Sequence, residues 1–317
     1  MFRHREDRVP TLLVTLLFTF DVAMFFLVDS PWALALWCVL GIVPKGCVCA
    51  WNHHHQHVPV FHATLLNRLL ELMYGLQTGA TGNAWLLHHS LGHHVTYLDQ
   101  SSDQSRWLRR EGTKMHIAEY SLAVALTAYP RAWAVGRRYP RHRRTFLLMG
   151  LLTLTVVVAA LVHRPLPALL VFVLPAVISL IGTAWATYAH HAGKSTDSVF
   201  ANCNNVTMPL YNLVTGNLGY HAAHHYRSGV HWSKLPELHK EIAHLIDADS
   251  YGSPGFPWGW LDRLRTISRG QVSHGHRAQP VAQPSAHLHD RHLAFFAASE
   301  QRDGFTRALT HEGVTER

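Results

Sequence analysis

Apolar residues in this chain are gathered into long blocks, and polar and charged residues lie between the blocks. Four blocks are nearly uninterrupted, at 11–28, 32–50, 145–162 and 166–188. A helix rises about 1.5 Å per residue, so 18 residues cover roughly 27 Å, close to the bilayer's apolar thickness of about 30 Å. The pattern therefore predicts an all-α integral membrane protein with four transmembrane helices.

The connections between blocks predict how the spans are paired. Blocks one and two are separated by "DSP" and blocks three and four by "HRP", so each pair is expected to form a tight helical hairpin. Pro44 and Lys45 interrupt block two and could shorten that span or make it re-entrant. Block one has the positive start of a signal peptide, but no small-x-small site precedes "DSPW", and we interpret it as a retained membrane helix.

Charge predicts the orientation. Only 15% of residues are charged, against a usual quarter, yet the net charge is +8 with histidine neutral. Ten arginines and lysines lie within 101–144, and the hairpin connections are nearly uncharged. The positive-inside rule then places both termini and residues 51–144 in the cytoplasm. Because topology accounts for the basic balance, we expect no nucleic-acid partner.

Further interpretations concern the segments between the spans, the domain bounds and the cysteines. Segments 64–80 and 116–135 are moderately apolar and are expected to lie in the membrane interface or to dip partly into the membrane. We interpret 1–269 as one membrane domain and 270–317, rich in Gln, Pro, Ala and His, as a disordered tail with a short amphipathic helix near 291–309. The cysteines are interpreted as reduced core residues, with a Cys/His zinc site as the alternative: Cys38, Cys47, Cys49 and Cys203.

Histidines form three clusters beside the apolar blocks: "WNHHHQH" (51–57), "HHSLGHH" (88–94) and "GYHAAHH" (219–225). Each cluster contains a pair at i and i+4, which share one face of a helix. Eight imidazoles follow from this spacing: His53, His57, His89, His93, His94, His221, His224 and His225. Neutral imidazole is a ligand for iron, zinc or copper, and eight exceed what one tetrahedral ion uses. The spacing therefore predicts two metal ions at one membrane face.

These clusters resemble the three histidine boxes of integral-membrane fatty acid desaturases and their hydroxylase relatives, over roughly residues 10–265. Flanking sequence is similar too, because Thr96, Asp99 and Asp103 follow the second box and "HHYRSGVHWSKLPELHKEI" follows the third. The resemblance implies four transmembrane helices in two hairpins, with a cytoplasmic helical cap holding a non-haem di-iron centre mostly or wholly by histidine.

The family also implies a ninth histidine just after the fourth span, within "TYAHHAG". A similar motif of the alkane hydroxylase branch points to His191, with His190 as the alternative. In the first box, His54 or His55 could take the place of His53. Asn217, four residues before His221, is either a weak ligand or ligand partner, or a helix or loop cap.

Iron on neutral nitrogen ligands suits oxidation of an unactivated C–H bond better than redox-inert zinc. The expected function is therefore a fatty-acyl desaturase with two non-haem iron ions and O2 as co-substrate. A hydroxylase or ketolase acting on an alkyl, lipid or carotenoid substrate is the alternative, because the boxes do not decide between these outcomes. A metal transporter would place its ligands within the spans, near the bilayer midplane, and these histidines cluster at one end.

The expected partners follow from the same pattern. The sequence contains no CxxCH motif, no glycine-rich dinucleotide motif and no iron–sulfur cysteine spacing, so a separate ferredoxin or cytochrome b5-like protein is expected to supply electrons. The basic residues of 106–144 could meet anionic lipid headgroups or acyl carrier protein. Trp85, Trp185 and Tyr188 could line a channel for the apolar substrate, or form an ordinary interfacial belt.

Overall fold

The computed structural model describes residues 1–254 and 257–259, and within them the chain forms helices and turns with isolated bridges only. The helices are α1 (Arg8–Leu27), α2 (Pro31–His57), α3 (Thr64–Thr78), α4 (Ile117–Gly136), α5 (Pro140–His163), α6 (Pro165–Ala168), α7 (Leu174–His191), α8 (Pro209–Thr215), α9 (His221–Tyr226) and α10 (Leu235–Ile242). A π-helical turn, Leu169–Val173, joins α6 to α7. The predicted tail, 270–317, lies outside the described residues.

Among the described residues, four helical segments are long and apolar enough to cross a membrane: Arg5–Leu27, Pro31–His57, Pro140–His163 and Pro165–His191. Their outer surfaces carry many exposed large apolar side chains, which a lipid environment accommodates. The prediction of an all-α fold with four membrane helices is confirmed. The predicted interfacial segments correspond to α3 and α4, each shorter or less apolar than the four spans.

The two hairpin turns lie against each other at one end of the helices. Arg164, in the turn between α5 and α6, donates to the carbonyl oxygen of Val28 at 3.1 Å and also bonds the Phe25 carbonyl and the Asp29 carboxylate. Because these partners lie in the last turn of α1 and in the α1–α2 connection, one side chain joins both hairpins. All four spans therefore run from this end to the opposite end, where α2 and α7 finish in histidines.

Helix α2 continues without a break through Pro44, so the second span is not shortened there. The charge of Lys45 is compensated inside the helix bundle: its Nζ lies 3.0 Å from the Asp21 carboxylate of α1 and 2.7 Å from the carbonyl oxygen of Val171 in the π-helical turn. Removing one partner of such a buried ion pair typically costs about 3–5 kcal/mol. This contact therefore fastens α1, α2 and the fourth span together.

Short helices after the fourth span support its histidine end. α9 packs on α10 through a core of small and aliphatic side chains that includes Ala222, Ala223, Leu235 and Leu238. Alanines at two of the α9 positions allow the helix to approach closely, because they add little bulk. The third histidine box is thus carried on a helix whose other face is buried.

The N-terminus fastens the same region to the first span. Asp7, directly before α1, accepts hydrogen bonds from His231 Nε2 at 3.0 Å and Trp232 Nε1 at 2.8 Å. His4 stacks on the His231 ring with centroids 4.0 Å apart. These contacts join residues more than 220 positions apart, and so fix the segment after the third box relative to α1.

A topology in which the hairpin turns are external and the histidine ends cytoplasmic is expected from the charge distribution. Single cysteines at exposed positions, Ser30→Cys, Ser101→Cys and Ser195→Cys, in a background without the native cysteines, test it. A membrane-impermeant maleimide should label Ser30→Cys in intact cells, and the other two only after permeabilisation. Labelling of Ser101→Cys and Ser195→Cys from opposite sides would contradict a shared histidine face.

Candidate metal centre

The first box occupies the last two turns of α2. His53 and His57 lie one helical turn apart and point toward the centre of the cluster, because their ring nitrogens lie close to those of the other boxes. The helix ends at His57, two residues before Pro59, and a residue that precedes proline disfavours helical geometry. The box is therefore held on a rigid helix end.

The second box is not a regular helix, which differs from the expectation drawn from its spacing. Leu86–Ser90 forms a π-helical turn, and the amide nitrogens of His93 and His94 both lie 2.9 Å from the carbonyl oxygen of His89. Gly92 makes this compact turn possible, since a Cβ there would meet the His88 carbonyl oxygen at 2.6 Å. The tight turn brings the rings of His89, His93 and His94 to one side.

The third box lies on α9, and the end of α7 completes the cluster. His221 and His225 are one turn apart on α9, with their Nε2 atoms at 3.2 Å. His191, the last residue of α7, places its Nε2 3.0 Å from His221 Nε2. The second box reaches the same point, because His93 Nε2 lies 3.3 Å from His191 Nε2.

The imidazoles form two adjacent groups. In the first, one ring nitrogen from each of five residues lies within 4.8 Å of the others: His53, His57, His89, His94 and His224. The second contains His93, His191 and His225 by the same measure. His221 adjoins the second group, and the stacked rings of His94 and His225, with centroids 4.1 Å apart, connect the two groups. The structure thus brings together all nine histidines that the sequence singled out.

Hydrogen bonds from outside the cluster orient two of these rings. His93 Nδ1 donates to the Asp103 carboxylate at 2.8 Å, and Asp103 also accepts the Ser105 amide at 2.7 Å. His191 Nδ1 donates to the Asn202 carbonyl oxygen at 3.1 Å. In both rings the bond fixes the proton on Nδ1 and leaves the Nε2 lone pair directed at the cluster, as is usual for metal-binding histidines.

Burial favours the neutral form of five imidazoles of the second and third boxes. The pKa values of His89, His94 and His224 are lowered well below the ordinary value, first by burial and then by neighbouring histidines. The same causes lower the pKa values of His221 and His225. A neutral imidazole keeps a lone pair for a metal ion, whereas a protonated one does not.

The donor set fits metal ions. Nitrogen ligands about 2.1 Å from one ion lie at most about 4.2 Å apart, close to the spread within each group. Several buried ring nitrogens also have no hydrogen-bond partner within the described residues, among them both nitrogens of His57 and Nδ1 of His94. Buried polar atoms of this kind normally have partners, so their convergence here is the arrangement of a site that can hold metal.

The alternatives left open by the sequence have other contacts. His54 Nε2 donates to the Thr215 carbonyl at 3.0 Å, and His55 Nε2 lies 3.4 Å from the Glu71 carboxylate. His190 Nδ1 donates to the Asn204 carbonyl at 3.0 Å, and its Nε2 accepts the Tyr211 hydroxyl at 3.2 Å. These three rings lie outside both groups, which favours His53 and His191 over them.

Asn217 has the contacts of a loop residue. It takes a left-handed conformation, with φ of 62°, directly after the Gly216 that ends α8. Its side-chain amide donates to the Trp232 carbonyl oxygen at 3.2 Å. Asparagine is one of the few non-glycine residues that adopt this conformation readily. These contacts favour the cap interpretation over a ligand.

A cavity of about 370 Å³ leads from between α2 and α7 to the histidines. His53, His89 and His221 line its inner end, and Trp85 and Trp185 line its walls. Tyr188 is placed differently from the sequence proposal: its hydroxyl donates to the Met115 carbonyl at 2.7 Å and its ring packs on Tyr120. The two tryptophans thus border a channel, and Tyr188 joins α4 to α7.

Sequence reasoning did not identify the residues that hold the rings in place. The sequence marks Asp103 only as an acidic residue after the second box, and it gives no signal for the Asn202 carbonyl, because a backbone oxygen is present at every position. No local pattern marks the left-handed Gly216 either, although a Cβ there would meet the Trp51 ring at 2.7 Å. These roles depend on contacts between distant segments.

Comparison with protein-family models identifies one match: the model described as "Fatty acid desaturase" covers residues 29–255, which is more than half of the chain. The matched region includes all three histidine clusters and the end of α7. Comparisons with curated proteins and with solved structures gave no significant match.

Replacing His93 or His94 with alanine should lower the metal content of the purified protein by at least half, because each removes a nitrogen from the centre of a group. His62→Ala is the matched control, since His62 is exposed and away from the cluster. Metal analysis of the membrane-inserted variants measures the effect. Full metal content in both His93→Ala and His94→Ala would exclude the second box from the site.

His191→Ala should lose metal, and His190→Ala should retain it, because only the His191 ring points into a group.

Asp103→Asn keeps the shape of the side chain but weakens the bond to His93, and should lower metal affinity about 10–100-fold. Metal titration against a competing chelator compares the three variants. Greater loss in His190→Ala than in His191→Ala would reverse the assignment.

Proposed function

The chain belongs to the fatty acid desaturase family, and we propose that it is a membrane fatty-acyl desaturase that introduces a double bond into an acyl chain with O2. Family membership makes it an oxidoreductase of the desaturase and hydroxylase type, and the four apolar helices provide a lipid environment for an acyl substrate. The observation that carries the finer proposal is the pairing of two adjacent imidazole groups with an apolar cavity.

In this proposal two iron ions occupy the two groups. The first is assigned to His53, His57, His89, His94 and His224, and the second to His93, His191, His221 and His225. When bound, the irons supply the redox chemistry with O2 that amino acid side chains lack. Imidazole is a ligand for both iron and zinc, and the redox demand of the reaction favours iron because zinc is redox-inert.

The protein's own contribution is to hold the acyl chain still and dry beside the ligands. The walls of the cavity are mostly apolar, and His53, His89 and His221 are the candidate ligands at its inner end. A chain in this cavity would present a limited number of carbons to the site, because Trp85 and Trp185 restrict its path. Positioning of this kind can lower the activation free energy of a reaction by several kcal/mol.

Electrons come from a separate protein in this proposal, a ferredoxin or cytochrome b5-like donor. Exposed arginines at the turn between α4 and α5 provide a basic surface: Arg137, Arg138, Arg141 and Arg144. Complementary charge raises the association rate of an acidic partner. An acyl carrier protein would find the same charge complementarity if it delivered the chain.

Lipid profiling by mass spectrometry, in cells with the wild-type chain or with His94→Ala, tests the function. The proposal predicts a lipid pool with two hydrogens fewer per modified chain in wild-type cells only, because His94 is a ligand. A product that has gained one oxygen would instead assign the hydroxylase or ketolase alternative. No change between the two cell lines would contradict both.

A further inference from the structure

Exposed residues line the cavity beside the metal centre in two places: Gly252 and Ser253 after the third box, and residues on two membrane spans, which form its outer end. Its outer lining includes Ile42, Val43 and Gly46 of α2 and Ile178 and Gly182 of α7. Both helices belong to segments long and apolar enough to cross a membrane. The outer end of the cavity is therefore bordered by residues of the lipid-facing zone.

Two glycines line this outer end, Gly46 on α2 and Gly182 on α7. Gly46 and Gly182 are both exposed, and a Cβ built on either would meet no atom within 4 Å. Glycine in a helix interior costs about 1 kcal/mol relative to alanine. Neither position needs glycine for close helix packing, since there is room for a side chain. The absence of a side chain at both positions leaves this part of the cavity, between α2 and α7, unfilled.

The gap and the histidines belong to one cavity. Gly46 precedes His53 by seven residues along α2, about 10 Å of helix, and Gly182 precedes His190 by eight residues along α7, about 12 Å. All four of these residues line the same cavity. An extended alkyl chain that passes between the glycines would therefore reach the candidate ligands within the length of a few helical turns.

We propose that the substrate chain enters sideways from the bilayer, through the gap between α2 and α7 that Gly46 and Gly182 keep open. This inference rests on the proposed oxidation of an acyl chain, and it names the substrate class: a long alkyl chain already dissolved in, or anchored to, the membrane. Delivery from the aqueous side on a soluble carrier would not use this gap. Large side chains at the two glycines close it.

The test reconstitutes the full chain in phosphatidylcholine vesicles that contain a fatty acid with a diazirine at its end. Wild type is compared with Gly46→Phe, Gly182→Phe and the double variant. Ala159→Phe is the matched control, because Ala159 is exposed on α5 and is not part of the cavity lining. Equal metal content and elution volume verify that each variant is folded.

After irradiation, mass spectrometry locates the label. In wild type and Ala159→Phe, we expect labelling of inner lining residues such as Ala50, which is buried and out of reach of bulk lipid. In the double variant, inner labelling should fall at least tenfold, while surface labelling should stay unchanged. Equal inner labelling in the double variant, or none in wild type, would overturn the inference.

Product formation in the same vesicles, supplied with O2 and with a reduced ferredoxin or cytochrome b5 donor, separates this inference from the proposed function. Inner labelling of wild type without any oxidised product would contradict the desaturase proposal and leave the lateral path standing. Oxidation by the double variant at the wild-type rate would show that the chain reaches the site from the aqueous side, and would contradict the lateral path alone.

Discussion

The structure depends on holding nine imidazoles within a few ångströms of one another, eight of them buried and His57 half-buried. Burying a polar nitrogen without a partner costs free energy, and gathering many of them multiplies that cost. Rigid elements on every side provide the compensation: the ends of α2 and α7, the turn around Gly92 and the helix α9. Removal from water also lowers the pKa values of His89 and His94, and so keeps their lone pairs available.

The features far from the histidines serve the same requirement. Arg164 joins the two hairpin turns, and the buried pair of Lys45 with Asp21 fastens α1, α2 and the fourth span. Because the spans are fixed at this end and in the middle, the ends of α2 and α7 cannot drift apart. Asp7 then ties the segment after the third box to α1 through His231. Together these contacts hold in place the helix ends and the segment that carry the histidines.

Much of this could be predicted from the sequence. The four spans follow from block lengths, and the nine histidines follow from their spacing together with the family resemblance. From the sequence, Pro44 and Lys45 could shorten the second span. In the structure α2 is continuous, and the partners of Lys45 come from other spans. A local pattern cannot show that Asp21 and Val171 lie beside it. For the same reason, the i and i+4 spacing of the second box predicts a regular helix and not the π-helical turn that the structure contains.

The cavity and the ring-orienting bonds were also beyond sequence reasoning. His93 contacts His191, which is 98 positions away in the sequence. The choice of His191 over His190 rests on the hydrogen bonds that His190 makes with the Asn204 carbonyl and the Tyr211 hydroxyl. From the sequence, Trp85 and Trp185 are also consistent with an interfacial aromatic belt. Their placement in the structure shows that they line the cavity.

The most direct test of the account is the metal content of the purified wild-type chain, measured by elemental analysis alongside amino acid analysis. Two neighbouring histidine groups predict two tightly bound iron ions per chain, retained through gel filtration in buffer that contains a weak chelator. One ion per chain, zinc in place of iron, or metal that varies between preparations and washes away would contradict a di-iron centre.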